Sequence, residues 1–226
     1  MDIKLHYTIY GDGEPIILLH GNGENSEYFM RQIEHFSQNY KVIAVDTRGH
    51  GKSPRGTAPF LLSQFSLDLK ALLDELGISQ ANILGFSDGG NIALLFALSY
   101  PSYVKRLILN GANLSPSGVK LHIQVPIIIG FLISSLVSVF SKKAIAKKEM
   151  LALMVTQPKI SPDDLAKIEI PTLIIVGTRD MIKEKHTRLI AKSIKPSSLS
   201  IINGSHFIAN ENPSEFNRCV DGFINA

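Results

Sequence analysis

Short apolar runs alternate with longer stretches of helical periodicity along most of the chain. Residues 4–10 alternate polar and apolar side chains, the pattern of a strand with one buried face. After the Gly11-Asp12-Gly13 turn, Pro15 leads into Ile16-Ile17-Leu18-Leu19, a short run suited to a strand buried on both faces. The pattern then predicts a helix over 26–36 and a buried strand over 42–45. A second helix is expected over 66–76, with Leu67, Leu69, Leu72, Leu73 and Leu76 near one face and Gly77 as its stop. A strand over 82–86 runs straight into a helix over 89–99, which ends before Pro101. Further strands fall at 105–110, 172–176 and 199–202, with helices at 184–194 and 215–224.

Strands alternating with helices of this length imply an α/β fold: a mostly parallel, twisted sheet with helices on both faces. The alternation breaks once, between Ala112 and Glu169, where the chain looks helical and shows no clear strand. That stretch is expected to be an insertion on the carboxyl edge of the sheet, where open α/β sheets bind their ligands. The expected organisation is a core of 1–112 and 170–226 with a small helical cap over 113–169.

Composition narrows the function classes. The 226 residues suit one domain with a small insertion, and the net charge of +3 is evenly spread. Without a basic stripe or a nucleic-acid-binding signature, a nucleic-acid partner is not expected. The single cysteine, Cys219, rules out an intrachain disulfide and fits a reducing compartment. Met1 to Tyr7 carries no basic segment followed by an apolar one, so no secretory signal is expected and the default location is the cytoplasm.

The candidate chemistry starts at Gly85-Phe86-Ser87-Asp88-Gly89-Gly90, which matches G-x-S-x-G between a buried strand and a helix. Glycines there let strand and helix approach closely, and Ser87 is lifted to the helix N-terminus, where backbone potential favours an anion. His20-Gly21-Asn22-Gly23 follows the strand over 16–19. Acyl transfer at a serine needs two backbone N–H groups aimed at the developing oxyanion, and Asn22 and Asp88 are the candidates. Asp180 follows the strand over 172–176 and His206 follows the last strand, giving the chain order Ser, Asp, His. In that triad, His206 takes the Ser87 proton while Asp180 fixes the imidazole tautomer. The strand over 105–110 ends in Asn110-Gly111-Ala112-Asn113 and offers no rival carboxylate.

Together these residues resemble the α/β-hydrolase superfamily over nearly the whole chain outside the insertion. Asp46-Thr47-Arg48-Gly49-His50-Gly51-Lys52-Ser53 is similar to the family's D-x-R-G-x-G-x-S turn, which implies a structural role for His50. The serine nucleophile implies ester-type acyl transfer rather than epoxide or haloalkane chemistry. The chain opens on what resembles the family's second strand, so the first, antiparallel strand is expected to be absent or vestigial. The stretch from Gly85 to Asn113 is similar to the biphenyl-hydrolase-like, valacyclovirase-containing branch. In that branch the carboxylate after the nucleophile holds a substrate ammonium, and Asp88 matches that position. A helix-dipole role for Asp88 is the competing reading.

The insertion carries an apolar run over 125–140 with no charged residue between Lys120 and Lys142, followed by Lys142, Lys143, Lys147 and Lys148. The run is too short and interrupted for a membrane span, so it is expected to form a cap helix lining an apolar pocket over the triad. A reversible membrane-surface contact through 125–148 is the alternative. The leading expectation is hydrolysis of carboxylic esters through an acyl-enzyme, on small, partly apolar or aminoacyl substrates, with neither metal nor organic cofactor. A thioesterase, perhydrolase or C–C bond hydrolase could use the same triad, and a non-hydrolytic receptor could retain it.

Overall fold

The computed structural model describes residues 2–226 and their side chains, Lys142 excepted. Met1 of the expected core and the Lys142 side chain of the 125–148 stretch lie outside the described residues. In chain order the elements are β1 (Tyr7–Tyr10), β2 (Glu14–Leu19), a 3-10 turn (Ser26–Phe29), α1 (Met30–Phe36), β3 (Tyr40–Val45) and α2 (Leu62–Glu75). There follow β4 (Ala81–Phe86), α3 (Asp88–Ser99), β5 (Val104–Asn110), α4 (Leu121–Val137), α5 (Lys142–Thr156) and α6 (Pro162–Leu165). The chain closes with β6 (Thr172–Gly177), α7 (Glu184–Ser193), β7 (Ser197–Ile202), α8 (Ile208–Glu211) and α9 (Pro213–Ile224).

The strands form one sheet in the order β1-β3-β2-β4-β5-β6-β7. Only β1 runs antiparallel, at the edge against β3, and no strand precedes it among the described residues. The period-2 alternation of a strand decides where each side chain goes. Ile17 and Leu19 join Leu69, Ile92 and Ile190 of α2, α3 and α7 on one face. Ile16 and Leu18 join Ile33, Phe36, Phe216 and Val220 of α1 and α9 on the other. Chain direction across the sheet reverses after β3, since β2 lies between β3 and β4. The crevice beyond the carboxyl ends of β2 and β4 is therefore the topological switch point, where such sheets bind ligands.

The turn after β3 is built around buried polar groups. Arg48 is fully buried and makes two 2.7 Å bonds to the Asp68 carboxylate, with Asp2 as a further partner. The Asp46 carboxylate accepts from the backbone N–H groups of Ser26 and Lys52 at 2.8 and 2.9 Å. His50 is buried within hydrogen-bond reach of Thr47 Oγ1 and the Arg48 carbonyl, which makes it part of this scaffold.

Three local expectations are corrected. Strand pairing begins at Tyr7 rather than residue 4, although Ile3 and Leu5 are buried. Helix α2 begins at Leu62, so its inner face runs through Leu62, Phe65, Leu69, Leu72 and Leu73, and Leu67 is 49% exposed. Between β5 and β6 the chain is helical, but most of the apolar run of 125–140 is not buried against the core. Its large side chains mostly face outward, from Val125 through Leu136 (74% exposed) to Phe140 (90%). It is α5 that attaches to the core: Arg55 makes a two-pronged pair with Glu149 at 2.6 and 2.8 Å, and Leu153 is fully buried.

Candidate active site

Ser87 sits between β4 and α3 with φ of 52°, the only positive φ at a non-glycine among the described residues. A β-carbon-bearing residue holds that conformation only where its surroundings impose it. Here the Ser87 N–H donates to the Asn110 carbonyl at 2.8 Å, and the Asn91 N–H donates back to the Ser87 carbonyl at 3.1 Å. The glycines are steric requirements. A β-carbon on Gly85 would overlap the Gly89 carbonyl oxygen, and one on Gly89 would overlap that of Leu19. Strand, helix and the preceding strand's end are thus packed backbone to backbone around the serine.

Two loops bring the other residues to this point. His206 Nδ1 and Asp180 Oδ1 are 2.8 Å apart, and both residues are buried. Asp180 Oδ1 also accepts from the Ile182 N–H at 2.8 Å, which fixes the carboxylate. Gly111, directly after the Asn110 that holds Ser87, has φ of 65°, and a β-carbon there would strike His206 Cε1. The Phe86 ring lies 4.8 Å from the His206 ring, centroid to centroid. Ser87, Asp180 and His206 therefore gather around the Asn110-Gly111 corner. The Asp–His bond is formed; His206 Nε2 is buried with no partner, and no bond to Ser87 Oγ is made. In free enzymes such bonds often tighten only when substrate binds.

The candidate oxyanion donors lie at the switch point. Asp88 is the first residue of α3, where a helix N–H has no intrahelical acceptor. Asn22 lies in the turn after β2, and among the described residues its backbone N–H, like that of Asp88, has no protein acceptor. The Asn22 side chain donates to the Met150 carbonyl of α5 at 2.8 Å, tying this loop to the helical excursion.

The Asp88 side chain is buried, with Oδ1 accepting from Asn91 Nδ2 at 3.0 Å and Oδ2 left without a partner. Burial pushes its carboxyl up to about 6, against the Asn22 and Asn91 amides and His206, which favour the charged form. Asn91 was not singled out in the sequence, although its i, i+3 spacing from Asp88 places both on one face of a helix. It also bonds to Asn113 in both directions, at 2.9 and 3.0 Å, so the amide pair braces the carboxylate from below. Glu24 and Tyr28 were missed too. Burial raises the Glu24 carboxyl, which accepts from the Gly21 N–H, and Tyr28 stacks on Phe86 at 4.3 Å. Nothing in their local sequence marks either residue; only the tertiary fold brings them beside Phe86.

Comparison with known proteins agrees with this fold. The profile of the α/β-hydrolase fold family matches residues 14–132. The chain is 30% identical to the serine hydrolase BPHL of Mus musculus, over 98% of this chain and 83% of that protein. It is 27% identical to 3-oxoadipate enol-lactonase 2 of Acinetobacter baylyi, over 99% of this chain and 94% of the relative. Among solved structures, an N-acyl homoserine lactone degrading enzyme superposes with a TM-score of 0.80 at 26% identity, covering 98% of this chain and 97% of the other. The elbow, the sheet order and these relatives lead to one conclusion: the chain belongs to the α/β-hydrolase family of hydrolytic enzymes.

Proposed function

We propose that this protein is a serine hydrolase that cleaves carboxylic esters through an acyl-enzyme on Ser87. The observation that carries the reading is the strained Ser87 turn set beside a bonded Asp180–His206 pair. Ser87 Oγ attacks the ester carbonyl and passes its proton to His206 Nε2, while Asp180 holds Nδ1 protonated. The backbone N–H groups of Asn22 and Asp88 take the charge on the carbonyl oxygen. Collapse expels the alcohol, which leaves with the proton from His206. Water then attacks the acyl-enzyme with His206 again as base, releasing the acid and restoring Ser87. Relatives named as lactone-cleaving enzymes support this chemistry, since a lactone is a cyclic ester. In this reading 113–169 acts as a cap whose α5 contacts the oxyanion loop through the Asn22–Met150 bond.

A narrower reading concerns the substrate. Asp88 Oδ2 is buried and unpartnered one residue from the nucleophile, which favours esters carrying an ammonium group near the carbonyl. Thioester, peracid and C–C bond substrates would use the same residues, and a receptor would bind without turning over.

Multiple-turnover hydrolysis of a panel of short-acyl, long-acyl and aminoacyl p-nitrophenyl esters distinguishes these readings. Catalytic turnover is expected, with Ser87→Ala lowering kcat by about a thousandfold or more while the protein keeps its melting temperature. A single stoichiometric release without turnover would instead support a receptor. Unchanged kcat in Asp180→Asn would overturn the assignment of the acid.

A further inference from the structure

Helix α4 exposes large apolar residues where a water-facing helix is normally polar. Such a helix normally turns its apolar stripe to the core and its polar residues to solvent. In α4 the two buried residues are polar, Gln124 and Ser134. Gln124 faces α5 and donates to the Met154 carbonyl at 3.1 Å. The exposed positions include Val125, Ile129, Leu132 and Leu136, whose spacing of three and four makes one continuous outward stripe. The stripe continues past the helix end into Val139 and Phe140, at the turn before α5. An outward apolar surface of this extent marks an interaction site.

The charge beside it indicates the partner. Between residues 113 and 161 there are six lysines and a single carboxylate, Glu149, which is paired with Arg55. Lys143, Lys147 and Lys148, in the first half of α5, pair with no carboxylate among the described residues. An apolar helix face next to unpaired lysines is the composition of a segment that lies in the headgroup layer of an anionic bilayer. A second copy of the chain would bring more lysines to the same place and no free carboxylate from this hairpin, which disfavours self-association. The contact lies on the surface, because no helix among the described residues is long and apolar enough to cross a membrane.

We propose that the α4–α5 hairpin binds reversibly to lipid surfaces carrying anionic headgroups, with the Val125–Phe140 face in the lipid and the α5 lysines over the headgroups. The base of the hairpin stays on the core through Glu149 and Leu153. The proposal does not depend on the reaction catalysed, since none of its residues is assigned to the triad or the oxyanion donors.

The test is co-sedimentation of the intact protein with vesicles of phosphatidylcholine alone and of phosphatidylcholine with phosphatidylglycerol. Binding is expected only with the mixed vesicles, falling as salt rises. Lys143→Glu with Lys147→Glu should weaken it at least tenfold, since each lysine near such a surface contributes about fivefold. Leu132→Ser with Leu136→Ser should abolish it while leaving the fold and hydrolysis of a small soluble ester intact. Failure to sediment with the mixed vesicles would overturn the proposal. So would binding that both paired variants retain, or a leucine-dependent dimer in analytical ultracentrifugation without vesicle binding.

Discussion

Asp88 is the residue in which stability and the proposed substrate choice meet. Its carboxyl titrates at about 6 in the folded protein against an ordinary value of 3.8, because burial disfavours the charge. The unfolded chain therefore gives up this proton first, and the stabilisation present below pH about 4 is lost as pH rises through 6. Asp88→Asn should accordingly gain stability over the native protein as pH climbs from 4 to 7. The gain should be on the order of 2–3 kcal/mol, read from urea denaturation at each pH. If the carboxylate serves a substrate ammonium, the same change should lower kcat/KM for an aminoacyl ester at least tenfold. A matched neutral ester should change only a few-fold, because the backbone N–H of residue 88 is untouched. Equal losses on both esters would mean that the side chain acts through helix and turn geometry alone.

At the scale of elements, the elbow makes a sharp demand on its glycines. In Gly89→Ala the new methyl group meets the Leu19 and His20 carbonyl oxygens, backbone atoms that cannot swing away. A loss of at least about 2 kcal/mol is expected. Gly222→Ala, in α9 with open space around it, should be neutral or stabilising by up to ~1 kcal/mol. Chemical denaturation of the two variants side by side checks the contrast. This elbow was legible in the sequence because strand, nucleophile and helix are contiguous, and so were the central strands β2 to β6, whose apolar runs are buried on both faces. What escaped were features that depend on a partner far along the chain. Leu67 fits the helical period as well as Leu69, yet only the packing of α2 decides which of them faces inward. The apolar run of α4 promised burial, but a sequence cannot show that the two most deeply buried positions of the helix are polar and most of its large apolar side chains face outward. Asn91 was readable from its spacing to Asp88; Glu24 and Tyr28 were not, because tertiary contacts bring them to Phe86.

Over the whole molecule, the turn after β3 is framed by Arg48. It is buried and bonded to Asp68 and Asp2, joining the β3 turn, α2 and the N-terminal segment. Arg48→Met would leave the Asp68 carboxylate buried without its cation, and a loss of about 3–5 kcal/mol is expected in equilibrium unfolding. A loss under 1 kcal/mol would show that water replaces the guanidinium. The same frame carries Arg55, whose pair with Glu149 anchors α5, and α5 also meets the loop after β2, the proposed oxyanion loop, through the Asn22–Met150 bond. Stoichiometric reaction of the native protein with a fluorophosphonate, mapped by peptide mass spectrometry, tests the proposed nucleophile most directly. The label is predicted on Ser87 alone, with loss of ester turnover in proportion to labelling and little reaction in His206→Ala. A label on another residue, or turnover that survives complete labelling of Ser87, would contradict the account.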